Sequence, residues 1–303
     1  MRLPAVRSVF GVVLVGVLVA GCGGEGSTRP ADPVVPGLLG MLAAVRGSAD
    51  TRVAVEYGAP ARVRELGERF RMLQGYGYGT IASSARLIDD AIGVDLAGFD
   101  QGIVVGQPPR WGALLLGDYD LGAVNSRLRG RGVEQVERDG GSVWTSGEDF
   151  EINLADGAFA GVVPTNEFNT VRTADGSFAF APSAAGVEAV TSAGDTSLAD
   201  DDQVSGIARC LGDVVAARIE GVGAGVREDG AEVLCLDADL RAVEEMLRGD
   251  VPSTGEAWDE LLPGASVEED GGLVRVTAPG RESEPVGRVL RAMMTGDLRG
   301  FGQ

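Results

Sequence analysis

Along this chain short apolar runs alternate with segments in which every third or fourth position is apolar. Two such stretches repeat one another. Residues 115–130 read LLGDYDLGAVNSRLRG and residues 234–249 read LCLDADLRAVEEMLRG, with nine of sixteen aligned positions identical. A second block follows in the same order: VERDGGSV at 136–143 matches VEEDGGLV at 267–274 at six of eight positions. Two matches in the same order point to an internal duplication. Its second copy is lengthened by an insertion from Pro252 to Pro263 that includes Trp258. In each copy the pattern predicts a strand (Ala113–Gly117, Glu232–Leu236) and then a helix (Leu121–Arg129, Leu240–Arg248). Apolar residues at 121, 124 and 128, and at 240, 243 and 247, fall on one helical face. Asp120 and Asp239 stand at the N-cap, where a short carboxylate accepts from free backbone N–H groups. Arg in the last turn and Gly after it are stop signals. Asp139-Gly140 and Asp270-Gly271 then predict hairpin turns.

The remaining pattern predicts further strand–helix pairs. Arg52–Tyr57 reads as a strand before a helix from Pro60 to Met72, with proline favoured in a first turn. Ser177–Ala181 reads as a strand before a helix from Ser183 to Val190. A helix over Asp202–Leu211 precedes a strand at Val214–Glu220, and a last helix covers Glu284–Thr295. The expected fold is α+β, with two duplicated halves, each a mostly antiparallel sheet covered by helices. Residues 37–165 form the first half and 166–303 the second.

The N-terminus carries a different pattern. Arg2 and Arg7 precede an apolar run from Val9 to Ala20, too short to span a hydrocarbon core of roughly 30 Å as a mature helix. Val19-Ala20-Gly21-Cys22 follows. Small residues immediately before a cysteine let a peptidase bind the extended chain, and the cysteine thiolate can accept a diacylglyceryl group. This resembles a bacterial lipobox. Residues 1–21 are then a lipoprotein signal peptide, and the resemblance implies lipidation at Cys22. Residues 22–36, rich in Gly, Ser, Thr and Pro, read as a flexible tether. Together with the use of Arg alone as cation, these features resemble those of uncharacterised secreted lipoproteins of high-GC Gram-positive bacteria. That resemblance implies a lipid anchor at the cell membrane, facing the extracytoplasmic side. It implies no activity.

Composition narrows the chemistry. The chain has no His, and all 26 of its cations are Arg, against 45 Asp and Glu. His-activated nucleophiles, imidazole metal ligands and Lys Schiff bases are therefore excluded. Loss of the signal peptide would leave 24 cations against 45 acids, a charge of −21 that argues against nucleic acid as a partner. Beyond Cys22, Cys210 and Cys235 remain, and an even remainder in an oxidising compartment predicts a disulfide. It would close a loop of about 25 residues, worth roughly 3.5 kcal/mol; two separately buried thiols are the alternative.

No metal or cofactor site is expected. The Asp118/Asp120 and Asp237/Asp239 pairs and the Asp200-Asp201-Asp202 run fit helix capping better than calcium binding. Gly75-Tyr76-Gly77-Tyr78-Gly79, before a helix from Thr80 to Ile92, is a candidate anion or ligand loop. Tyr76 and Tyr78 would be its stacking faces. Trp111, after the stiff Gly106–Arg110 segment with its two prolines, is a candidate partner contact. The expected function is non-catalytic binding of an unknown envelope protein or ligand. A carboxylate-dependent hydrolase of envelope polysaccharide is one alternative, although 16 aromatic residues are few for a sugar groove plus a core. A carrier of an apolar ligand is another.

Overall fold

The computed structural model describes residues 37–138 and 141–300. The expected signal peptide, Cys22, the expected tether and the turn expected at Asp139-Gly140 lie outside these residues. In chain order the described elements begin with α1 (Leu38–Ala44), β1 (Val55–Gly58), α2 (Pro60–Leu66) and α3 (Ala85–Ile92). Next come β2 (Gln101–Gln107), β3 (Arg110–Leu116), α4 (Leu121–Gly130), β4 (Glu134–Arg138) and β5 (Gly141–Thr145). Then follow β6 (Thr170–Ala174), β7 (Ser177–Ala181), α5 (Ala184–Thr191), α6 (Asp202–Leu211), β8 (Ala216–Ile219) and β9 (Gly223–Val226). The chain continues with β10 (Glu232–Leu236), α7 (Leu240–Leu247), α8 (Trp258–Leu261), β11 (Ser266–Asp270), β12 (Leu273–Ala278) and α9 (Arg288–Thr295).

All twelve strands among the described residues join one sheet in the order β11-β12-β10-β9-β8-β1-β2-β3-β7-β6-β5-β4. Every pairing is antiparallel. The fold is therefore mixed, a large antiparallel sheet with helices, and the expectation of one sheet per half is corrected. The two parts are continuous because β1 and β8 pair directly, Val55 opposite Ile219 and Tyr57 opposite Ala217. The β6–β7 hairpin, placed by sequence in the second half, sits between β3 and β5. Both outer strands carry acids, Glu134 on β4 and Glu268 and Glu269 on β11, which discourages edge-to-edge pairing.

Strand alternation sorts the core into layers. Leu114, Ala179, Ala181, Tyr57, Val233 and Cys235 pack on one face with α1, α5 and α6. The other face holds two clusters. One gathers Ala113, Leu115, Phe178 and Phe180 beneath α3 and α4, with Trp144 and Phe168. The other gathers Leu234, Leu236, Val274 and Val276 beneath α7, α8 and α9, with Trp258 inside it.

Several boundaries differ from the sequence reading. The helix begun at Pro60 stops at Leu66, because Gly67 adopts φ +82°, and a 3-10 turn follows over Glu68–Leu73. The expected helix from Thr80 is 3-10 over Gly79–Ser84 before α3 begins. The stiff proline segment is a hairpin turn: Gln107 pairs with Arg110 around Pro108-Pro109, whose peptide bond is cis. The β11–β12 turn uses Gly271-Gly272, both at positive φ, one position later than predicted. Asp120 caps α4 by accepting from Ala123 N at 2.9 Å, and Asp201 caps α6 through Val204 N at 3.0 Å. Asp239 makes no side-chain cap hydrogen bond, so the capping expectation fails at α7.

Candidate functional site

The Gly-rich segment 75–79 crosses the sheet where the two clusters of that face meet. Its backbone comes very close to the strands. A Cβ on Gly58 would lie 2.1 Å from Tyr76 O, and one on Gly102 would lie 2.6 Å from Gly77 O. Both strand positions must therefore be glycine. Gly77 N and Gly79 N each donate to Glu56 Oε1 at 3.1 Å. The loop's amides thus bind an anion supplied by the chain itself. Across the strand pair stands Arg218, 3.6 Å from Glu56 Oε2, and it also pairs with Glu220. Burial pushes the Glu56 carboxyl up, against the Gly77 amide and the Arg218 charge, which act to lower it.

The two tyrosines diverge. Tyr76 packs against the α7–α9 cluster and its hydroxyl lies 3.4 Å from Met294 Sδ. Burial and the nearby Glu56 charge raise its pKa to about 12. Tyr78 is buried in the cluster under α3 and α4. Trp111 is half-buried, edge-on to Phe180 at 5.9 Å. The three candidate contacts are not gathered into one site, and most of their surface is spent on packing. Cys210 and Cys235 are bonded, joining α6 to β10 with Cα atoms 6.0 Å apart. Among the described residues no group of acidic or Cys side chains is arranged to hold a metal ion, and no helix is long and apolar enough to cross a membrane.

A cleft of about 790 Å³ opens elsewhere, at the rim where β1 ends and β2 and β8 begin. The end of β1 supplies Tyr57, and α2, opened by Pro60, supplies Arg62 and Glu65. The approach to β8 supplies Asp213–Val215, the start of β2 brings Asp100 and Gln101, and the β9–β10 turn brings Arg227–Asp229. Gly37 completes the wall. Tyr57 is only 2% exposed. Its hydroxyl lies 3.5 Å from Gln101 Oε1, which also accepts from Gly37 N at 2.7 Å. Burial, reinforced by the Asp213 charge, raises the Tyr57 phenol to about 12. Arg62 grips Glu228 with two parallel bonds of 2.7 and 2.8 Å and reaches Glu65 at 2.9 Å. The Arg62 hydrogen bond holds the Glu228 carboxyl below its usual range.

The sequence reading missed this cleft. Arg62 and Glu228 are 166 positions apart and carry no local motif. The one available signal was Tyr57-Gly58-Ala59-Pro60, a strand running straight into a proline-led helix. Chemically, the cleft offers five carboxylates against two guanidinium groups, with Tyr57 as its aromatic residue. A phenol held at about 12 neither donates nor accepts a proton readily near neutrality.

No protein family matches the chain, and no curated protein does. Two solved structures align with it: crystal forms I and IV of TP0453, at 11% and 10% identity and a TM-score of 0.39 each. Each alignment covers 84% of this chain, with 97% and 95% of the TP0453 chains.

Proposed function

We propose that this chain is a lipid-anchored extracytoplasmic lipoprotein whose body is a non-catalytic binding protein of the cell envelope. The cleft is the observation that carries the binding reading. Its excess of carboxylates suits a ligand or partner group bearing positive charge, and its Arg62–Glu228–Glu65 cluster forms a fixed polar wall. Gly37 lines the cleft, and the sequence just before it is the predicted tether. The Cys210–Cys235 bond suits an oxidising compartment. Charged walls suit an apolar carrier less well, and a cleft with Tyr57 as its one aromatic residue suits a polysaccharide hydrolase less well.

The duplication belongs to the same reading. β3-α4-β4-β5 and β10-α7-α8-β11-β12 share one element order apart from α8, which lies in the Pro252–Pro263 insertion, and β1-β2-β3 and β8-β9-β10 run outward from the central β1–β8 pair. In this view the β6–β7 hairpin is an insertion into the first copy, and the cleft lies beside the junction.

The test uses the full chain extracted from membranes in mild detergent. Native mass spectrometry is expected to show a discrete extra mass that is lost on denaturation and lost from Asp100→Asn/Asp213→Asn, which removes two of the cleft's carboxylates. A bare mass in the wild type overturns tight ligand binding. Cys22→Ala is expected to move the protein from the membrane fraction to the medium; retention at the membrane overturns the anchor.

A further inference from the structure

The segment 148–156 (EDFEINLAD) lies outside the cleft and is exposed along its whole length. It places three large apolar side chains in solvent at alternate positions: Phe150 at 42%, Ile152 at 62% and Leu154 at 60%. Alternation along a stretch that belongs to no helix or strand is not explained by packing in the fold. The main chain, in contrast, is pinned. Asn169, itself nearly buried, donates to Glu148 O at 2.9 Å and Glu151 O at 2.8 Å. Phe150 N donates to Pro182 O at 2.7 Å, and Asp149 Oδ1 accepts from Ala184 N at 2.8 Å, at the start of α5. Between these fastenings Phe150 sits at φ +64°, a region a bulky L-residue rarely adopts. It is the one non-glycine residue at positive φ among those described.

Charge selects the occupant. Glu148, Asp149, Glu151 and Asp156 are interleaved with the apolar residues, and no cation occurs in the sequence between Arg138 and Arg172. Burying this row in a lipid surface would press Glu151 against anionic headgroups. A second copy would bring like charges together. A protein surface with an apolar groove rimmed by Arg or Lys answers both features at once. We propose that residues 148–156 form a preorganised docking segment for such a basic, groove-bearing partner protein. Because the backbone is already fixed, little ordering is required on binding.

The test measures binding of a fluorescent peptide of alternating Arg and Leu to the full lipoprotein, by anisotropy at two salt concentrations. The wild type is expected to bind in a saturable, salt-sensitive way. Phe150→Ser/Ile152→Ser/Leu154→Ser, which keeps every charge and removes only exposed side chains, is expected to weaken binding at least tenfold with an unchanged melting temperature. Glu268→Gln/Glu269→Gln, on the acidic edge strand β11, is expected to leave binding unchanged. Equal binding by wild type and triple variant would reduce the effect to bulk charge and overturn the proposal. So would absence of binding, dimerisation lost in the triple variant, or flotation with phosphatidylglycerol vesicles that depends on these three side chains.

Discussion

Two glutamates stand on the same face of the sheet, one on β1 and one on β10, and each holds a crossing segment by its backbone amides. Glu232 accepts from Gly287 N at 3.3 Å and Val289 N at 2.8 Å, at the start of α9, and pairs with Arg288 at 2.8 Å. Its side chain is fully buried. Glu56 accepts from Gly77 and Gly79, but its guanidinium partner is 3.6 Å away on the neighbouring strand and is shared with Glu220. At Glu232 the amides, the helix dipole and the cation all arrive with one helix. At Glu56 they arrive on separate elements, and a rival carboxylate competes for the arginine. The first arrangement anchors tightly. The second holds a charge that its surroundings satisfy only in part.

The largest expected effect tests that ranking. Glu232→Ala leaves Arg288 and two amides without their acceptor in a buried place, and should cost about 3–5 kcal/mol in urea unfolding. Glu56→Ala should cost less, about 2 kcal/mol, because Arg218 retains Glu220. Equal losses would erase the distinction drawn between the two anchors.

The disulfide offers a second handle, since Cys235 lies on the strand of Glu232. Cys210→Ser/Cys235→Ser should lower stability by roughly 3.5 kcal/mol from loop closure. Hydrogen-exchange mass spectrometry should then show lost protection in α6 and β10 before the amides of Gly77 and Gly79. Simultaneous loss at both places would mean the two anchors open as one unit.

Elements with their own local signals were legible in sequence. α6 begins and ends where its Asp cap and apolar spacing predict, and the two cysteines meet as their count suggests. β9 was not legible, because Gly223-Ala224-Gly225-Val226 has little strand propensity. Its glycines are required from outside: a Cβ on Gly223 would lie 2.3 Å from Ile207 of α6. Tertiary contact, not local preference, makes that strand. The same holds for the candidate sites. The amides of 75–79 were readable as an anion cradle, but nothing near them in sequence identifies Glu56 as the anion. The cleft joins Tyr57, Gln101, Asp213 and Glu228, which only the meeting of β1, β2 and β8 brings together.

The smallest effect is also the most diagnostic. Glu56→Gln keeps an oxygen for the two amides and removes the charge, so its stability at pH 7 should fall within about 1 kcal/mol of wild type. Its pH dependence should carry a definite sign. Burial raises the Glu56 carboxyl in the folded state above its ordinary value. Folding therefore favours the protonated form, and the stability this contributes is complete below the unfolded pKa and lost as pH rises through the folded one. Wild type should lose ground to Glu56→Gln between pH 4 and pH 7, measured as the difference in urea midpoints at the two values. The reverse trend would mean that the Gly77 and Gly79 amides and Arg218 outweigh desolvation. Glu56 would then be as tight an anchor as Glu232, and the contrast between the two would lie in geometry alone.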